Sequence, residues 1–240
     1  MCTTIAHPQP DKKTYPIAIL IYPHAEILDF IGPLEMFSQT TYNNSITDPE
    51  RAFSINHISR ERTVLTGFPT GSCMEILTHM TIEEASKHIE SFDILVVPGG
   101  NTSLLLQYAK EKNPESRFVE SFTQLQSEEK QRILLSVCMG AALVASMDAF
   151  AGMKAATHHT CYDSQKEDDG SIDVVRGAES GGIMRYVDGG LTKNKSRVVS
   201  TGGVSCGMDG ALHVAESKVG RGIAECTARM PEYDGKRAEA

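Results

Sequence analysis

The sequence predicts an α/β protein in which helices cover both faces of a mostly parallel sheet. Three segments, at residues 15–22, 94–97 and 132–137, are almost continuously apolar, and each precedes a segment with helical character. Continuous rather than alternating hydrophobicity is typical of strands that are buried on both faces. Strands of this kind alternating with helices define the α/β class.

The other elements of the first half fit this alternation. Pro33 predicts the first turn of a helix after the first strand, because proline is well suited to that position. Residues 53–59 predict a second strand, and the glycines and proline within residues 64–75 predict a turn or short hairpin. Thr81 and Glu84 have the spacing of a capping box, which predicts a short helix.

The second half of the chain continues the pattern. Short strands are predicted at residues 154–157 and 197–201. Helices are predicted at residues 103–109, 117–127, 139–147, 205–220 and 221–230. The acidic stretch at residues 164–171 predicts a solvated loop.

Length and composition predict one ordinary globular domain. A chain of 240 residues suits a single domain at residues 15–231, between a flexible lead at 1–14 and a tail at 232–240. The net charge of −8 argues against nucleic acid or an anionic membrane as partner. We find neither a secretory signal nor an apolar stretch of membrane-spanning length. Six scattered cysteines are expected to be thiols, which predicts a cytoplasmic protein.

Cys138 lies where a buried strand turns into a glycine- and alanine-rich helix. Such a turn exposes its residue and directs the unpaired N–H groups of a helix N-terminus towards it. The position therefore predicts a thiol of lowered pKa that acts as a nucleophile. A buried, inert cysteine packed under the helix fits the same local pattern, so both interpretations stay open.

Two backbone N–H groups near this cysteine are candidates for binding negative charge on a substrate. That of Met139 follows the cysteine directly, and that of Gly100 lies in a turn after another buried strand. Gly99 and Gly100 allow the backbone to approach a ligand closely. If the two strands are neighbours, both N–H groups can face one substrate. An ordinary strand-to-helix turn is the alternative.

Asp29 is the candidate acid or base. It lies among apolar residues, three positions before Gly32, which is the expected cap of a helix beginning at Pro33. A carboxyl group in such surroundings has a raised pKa, whereas a loop aspartate bound to its own backbone is the alternative. Glu35 falls near the third helical position, where a carboxylate suits the helix dipole. We interpret Glu35 as structural, although within reach of the site.

The histidines after the next strand are candidates for the wall of a pocket. We expect either His158 or His159 to line it, and the other to pack or form a hydrogen bond. Together with Cys161 they suggest zinc, but their spacing matches no standard ligand set, so no metal is predicted.

A second glycine loop follows the strand at residues 197–201. Gly202 and Gly203 are expected at the same ligand end of the sheet, because ligands bind beyond the carboxyl ends of parallel strands. Asp209 lies in the helix that follows and is a further candidate. A plain turn with a helix behind it is the alternative.

Five motifs together resemble the ThiJ/PfpI superfamily in order and spacing, over roughly residues 15–230. They are LDFIGPLEMF, FDILVVPGG, LLSVCMGAALVAS, KAATHH and STGGVSCGMDGAL. The resemblance implies a flavodoxin-like three-layer sandwich of the class I glutamine amidotransferase-like type. It also implies a nucleophilic Cys138 and, usually, a homodimer.

Within the superfamily, the chain is most similar to the isocyanide hydratase branch. The motif positions of that branch fall on Asp29, Cys138, Thr157, His158, Gly202, Gly203 and Asp209. Two positions depart from it. Met139 stands where the branch usually has threonine, and His159 stands where it often has an aromatic residue.

The resemblance implies a cofactor-independent hydratase that acts on a small molecule and converts an isocyanide into an N-substituted formamide. Two alternatives stay open. One is a glyoxalase or deglycase that uses the same cysteine, and the other is a non-catalytic redox or metabolite sensor. Regulator relatives carry a C-terminal helix-turn-helix region, which we do not expect here.

Overall fold

The computed structural model of the protein describes residues 12–67, 71, 73–126, 129–162, 173–177 and 183–235. The predicted acidic loop lies outside these residues.

Eleven strands and seven α-helices are present in the described ranges. The strands are β1 (Tyr15–Leu20), β2 (Phe53–Ser59), β3 (Thr63–Thr66), β4 (Met74–Leu77), β5 (Met80–Thr81), β6 (Ile94–Val97), β7 (Ile133–Ser136), β8 (Lys154–Ala155), β9 (Asp173–Val174), β10 (Tyr186–Leu191) and β11 (Arg197–Thr201). The helices are α1 (Ile27–Gln39), α2 (Ile82–Ser86), α3 (Thr102–Glu111), α4 (Pro114–Gln124), α5 (Gly140–Ala145), α6 (Cys206–Val219) and α7 (Arg221–Arg229). Short 3₁₀ turns lie at Ile89–Ser91 and His159–Cys161.

Seven strands form the central sheet in the order β10-β11-β7-β6-β1-β2-β5. All pairs are parallel except β10 with β11, which is antiparallel at one edge. Strands β6 and β7 are buried along their whole length, which explains their continuous apolar sequence. The chain moves to opposite sides of β1 when it forms β2 and β6. The topological switch point therefore lies between β1 and β6, where ligands bind in such sheets.

The helices form two groups that complete a three-layer arrangement. Helices α1, α6 and α7 pack on one another and on the sheet, while α2, α3, α4 and α5 form a second packed group. This mostly parallel seven-stranded sheet flanked by helices confirms the predicted α/β, flavodoxin-like fold class.

Helix α1 differs from its prediction. It begins at Ile27 with Glu26 as N-cap, and Pro33 lies inside it. The prediction placed the start at Pro33, because proline is favoured in the first turn. Proline inside a helix removes the hydrogen bond of its own nitrogen and crowds the carbonyl group four residues earlier, which costs about 3 kcal/mol. Packing of α1 on α6 offsets that cost. As a result, Asp29 lies in the first turn of the helix and not in a loop.

The antiparallel edge strand β10 was not predicted from the sequence. Its segment YVDGGL contains two glycines, which weaken a strand pattern. In the structure Gly190 has a φ of 89° and the register with β11 shifts between Asp188 and Gly190, so the glycines form a bulge within the strand.

The expectation that all six cysteines are thiols is confirmed only in part. Cys73, Cys138, Cys161 and Cys206 are thiols, whereas Cys226 is disulfide-bonded, so the expectation is wrong for Cys226. No helix in the described part of the chain is long and apolar enough to cross a membrane.

Candidate active site

Cys138 occupies a sharp turn directly after β7. Its φ of 56° lies in the left-handed region, which costs a non-glycine residue roughly 1–2 kcal/mol. Its N–H donates to the carbonyl groups of Thr201 and Gly202, both at 3.2 Å, and the Thr157 hydroxyl donates to its carbonyl at 3.0 Å. Strain that neighbouring groups hold in this way is typical of functional positions.

Thr157, one of the motif positions of the isocyanide hydratase branch, holds the backbone of this turn. It is buried and its hydroxyl is bound to the Cys138 backbone. It does not line the cavity in front of the cysteine.

Asp29 is completely buried in the first turn of α1. Its Oδ2 accepts the N–H of Gly99 at 2.8 Å, and its Oδ1 has no hydrogen-bond partner among the described residues. Burial raises the pKa of this carboxyl group to about 8, and the nearby charge of Glu26 acts in the same direction. Asp29 thus has the raised pKa that its apolar neighbours predict.

The pKa of Cys138 differs from the expectation. We expected the helix end to lower it, but burial and the neighbouring Asp29 raise it, while the N–H of Met139 opposes the shift. Only 5% of Cys138 is exposed, and α5 behind it has six residues, so desolvation outweighs the helix dipole. Carboxyl and thiol interact directly, and the pair is best described as sharing protons.

The turn at residues 98–100 lies beside this pair, because β6 and β7 are neighbouring parallel strands. The Gly99 carbonyl accepts from the Tyr22 hydroxyl at 2.9 Å and from the Glu26 N–H at 3.0 Å. In a trans peptide the C=O and N–H point in opposite directions. The N–H of Gly100 therefore points away from Tyr22, and no described residue accepts it.

Tyr22 was missed by the sequence analysis, which treated it as the end of a strand. Its hydroxyl also donates to the Pro98 carbonyl, so it fixes both peptides of the turn. The peptide between Pro98 and Gly99 directs its N–H to Asp29. The peptide between Gly99 and Gly100 leaves its N–H without an acceptor among the described residues. Tyr22 is fully buried. A tyrosine at the end of an apolar strand was the available signal, since a buried hydroxyl needs a partner.

A cavity of about 520 Å³ opens in front of Cys138. Its described lining residues are Glu26, Gly100, Asn101, Thr102, Ser103, Cys138, Met139, His158, Thr160 and Val204. Gly203 is packed against its wall, since a Cβ there would lie 2.1 Å from His158 Cδ2 and 3.0 Å from Cys138 Sγ. At Gly99 a Cβ would lie 2.7 Å from Asp29 Oδ2. Both glycines are therefore required for close packing.

As the sequence predicted, one of the two histidines lines the cavity and the other packs against it. His158 lines the cavity, and the ring of His159 lies against it with centroids 4.2 Å apart. Met139 places its sulfur 3.1 Å from Cys161 Sγ and 3.5 Å from the Thr102 hydroxyl. No group of three potential ligands among the described residues is arranged to hold a metal.

Two further candidates lie away from the cavity. Glu35 accepts a hydrogen bond from Gln39 at 3.0 Å on the same helix. Asp209 is buried and accepts from Arg185 Nε at 2.7 Å and from the Tyr233 hydroxyl at 2.9 Å. Arg185 also donates to Ser205 at 3.1 Å, so Asp209 supports the loop after β11 from behind.

The fold and the site define a class: flavodoxin-like α/β proteins with a cysteine on a strained strand-to-helix turn beside the switch point of the sheet. Residues 16–210 match the model of the DJ-1/PfpI family. The chain belongs to the DJ-1/PfpI family, which confirms the ThiJ/PfpI resemblance. The family includes cysteine-based hydratases, deglycases and sensors. No curated protein matches the chain significantly.

Solved structures agree with this assignment at the level of the fold. A THiJ/PfpI family protein from Pseudomonas syringae is 21% identical with a TM-score of 0.69, covering 98% of this chain and 84% of that one. Drosophila melanogaster DJ-1beta is 13% identical with a TM-score of 0.64, covering 92% and 98%. Oxidized Toxoplasma gondii DJ-1 is 15% identical with a TM-score of 0.63, covering 92% and 99%.

Proposed function

We propose that the protein is a cysteine-dependent hydratase that converts small isocyanides into N-substituted formamides. The observation that carries the proposal is the pair formed by Cys138 and Asp29. A thiol on a strained turn and a buried carboxyl group of raised pKa act on one cavity. The motif resemblance to isocyanide hydratases supports this choice of substrate.

The chemistry of an isocyanide suits this pair, because its terminal carbon must receive both a nucleophile and a proton. With one proton on the pair, Cys138 Sγ attacks that carbon and Asp29 carries the thiol proton to it. The product is a thioimidate, in which a C–S bond and a C–H bond have formed.

Water completes the reaction. Ionised Asp29 accepts a proton as water adds to the thioimidate carbon, and it passes that proton to the nitrogen, which receives the electron pair of the C=N bond. Asp29 then accepts the remaining hydroxyl proton, and the N–H groups of Gly100 and Met139 face the negative charge that develops on that oxygen. The C=O bond forms as the C–S bond breaks, and the thiolate that leaves shares the proton held by Asp29. The net change is the addition of one water molecule to the isocyanide, and Cys138 is regenerated.

The test is incubation of the purified protein with an aryl isocyanide, with the N-aryl formamide measured by liquid chromatography and mass spectrometry. We expect turnover by the wild type and loss of at least about a thousandfold in Cys138→Ala, since the nucleophile is removed. Full activity of Cys138→Ala would overturn the mechanism. If the wild type forms no formamide, the proposal that isocyanides are its substrates is wrong.

Glu35→Gln is the matched control for Asp29→Asn, because both change a carboxyl group of α1 into an amide. We expect Asp29→Asn to lose activity and Glu35→Gln to keep it, since Glu35 is bound to Gln39 away from the cavity. A parallel assay with methylglyoxal covers the glyoxalase alternative. Lactate formation without formamide formation would assign the site to that reaction instead.

A further inference from the structure

Glu26 is a carboxylate at the mouth of the cavity that nothing in the proposed reaction uses. It is the N-cap residue of α1, and its backbone is fixed because its N–H donates to the Gly99 carbonyl at 3.0 Å. Glutamate is not among the residues preferred at an N-cap, and the side chain of Glu26 makes no capping hydrogen bond. Within the described ranges it also has no ion-pair partner.

Among the residues that the structure describes, no positive charge faces Glu26 across the cavity. The described lining contains neither lysine nor arginine, and its other polar side chains include the hydroxyl groups of Thr102, Ser103 and Thr160. Burial and the neighbouring His159 lower the pKa of His158, which keeps that ring uncharged at neutral pH. An anionic ligand would thus meet a carboxylate and no cation.

The charge of Glu26 reaches the reacting groups. It raises the pKa of Asp29 and also contributes to the raised pKa of Cys138. A charge that acts on the thiol through this partly desolvated space also acts on any charged group that a ligand brings beside the thiol.

We propose that Glu26 is the specificity-determining residue of this cavity, and that it selects neutral or cationic electrophiles with a hydrogen-bond donor over carboxylates and other anions. The proposal rests on the proposed function only in placing the ligand beside Cys138. The hydroxyl groups of the lining suit a polar, uncharged remainder of the molecule, and the carboxylate accepts a hydrogen bond from an amino, ammonium or hydroxyl group.

The test compares two methanethiosulfonate reagents that differ in charge, one with a trimethylammonium group and one with a sulfonate group. Peptide mass spectrometry gives the rate of labelling at Cys138, and the exposed Cys73 serves as reference for the overall negative field. We expect the cation-to-anion ratio at Cys138 to exceed that at Cys73 by about tenfold. Both reagents react with the same thiolate, so the ratio of their labelling rates at one cysteine does not depend on the pKa of that thiol.

Glu26→Gln is expected to bring the Cys138 ratio close to the Cys73 ratio, and Glu26→Ala should do the same. Glu35→Gln, on the same helix but away from the cavity, should leave the ratio unchanged. An unchanged ratio in both Glu26 variants would overturn the proposal. Failure of both reagents to label Cys138 would also overturn it, because the cavity would then admit no ligand of this size.

This result does not depend on turnover, so it separates the two proposals. If formamide is produced, methyl isocyanoacetate should be preferred to the isocyanoacetate anion in kcat/KM, and Glu26→Gln should reduce that preference. If no formamide is produced but the labelling ratios behave as expected, the proposed reaction fails and the role of Glu26 stands.

Discussion

Replacing Asp29 by asparagine should stabilise the protein against unfolding at neutral pH while it removes activity. The native carboxyl group is buried with a pKa of about 8, compared with an ordinary value of 3.8. Between these values the unfolded chain releases the proton and the native state retains it. The free energy of unfolding of the wild type therefore falls as pH rises from about 4 to 8.

The magnitude follows from the size of the shift. Each pH unit between the two pKa values costs about 1.4 kcal/mol. At pH 7, roughly three units above the ordinary value, the loss is about 4 kcal/mol. Asparagine keeps an oxygen that can accept the Gly99 N–H at Oδ2 but carries no charge, so this slope disappears. Any packing cost of the amide is constant with pH and does not alter the slope.

The measurement is urea unfolding of wild type and Asp29→Asn at pH 5, 6, 7 and 8. We expect the difference between the two free energies of unfolding to change in favour of the variant by about 1.4 kcal/mol per pH unit. Asp209→Asn is the control for replacing a buried aspartate by asparagine. It breaks a partly buried ion pair with Arg185 and should destabilise the protein by about 3 kcal/mol. Parallel pH curves for wild type and Asp29→Asn would refute the reasoning.

Three further predictions concern the same site. The rate at which iodoacetamide labels Cys138 should increase with pH with an apparent pKa of about 8, because ionised Asp29 can accept the thiol proton. The Asp29→Asn variant should show no midpoint at this pH, and a wild-type midpoint below pH 6 would contradict the prediction. Tyr22→Phe should lower kcat about tenfold with little change in KM, because the turn loses its hydroxyl donor; equal kcat values in steady-state assays would remove Tyr22 from the site. Gly203→Ala should displace His158 and reduce kcat/KM about tenfold, since its Cβ would lie 2.1 Å from that ring; an unchanged value would show that the wall adapts.

The fold was predictable where one physical signal dominated. Continuous apolar runs identified the buried strands, and β2 and β6 have the predicted bounds. The capping box at Thr81 and Glu84 is formed as its spacing predicts. Where signals competed, the prediction was wrong. Pro33 favoured a helix start, whereas packing extended α1 to Ile27, and no strand was predicted at β10, where two glycines weaken the strand pattern.

The candidate site was also predictable only in part. Sequence position was sufficient to place Cys138, Gly100 and Met139 at one end of the sheet, because parallel strands all end there. It was insufficient for the pKa of the cysteine, which depends on burial by residues distant in sequence. Tyr22 and Glu26 are positioned by hydrogen bonds to the Gly99 carbonyl, which is distant in sequence. No local sequence pattern predicts these hydrogen bonds.

The turn at Cys138 has a consequence for how the site is assembled during folding. The acceptors that hold its N–H belong to Thr201 and Gly202, more than sixty residues later in the chain. The carboxyl group beside it comes from α1, more than a hundred residues earlier. A chain that has formed β7 but not yet added β11 thus carries the thiol without its supporting backbone. The strained turn at Cys138 is therefore completed only when β11 joins the sheet, and a loss of labelling at this thiol, which is 5% exposed in the folded protein, reports that the strand has joined.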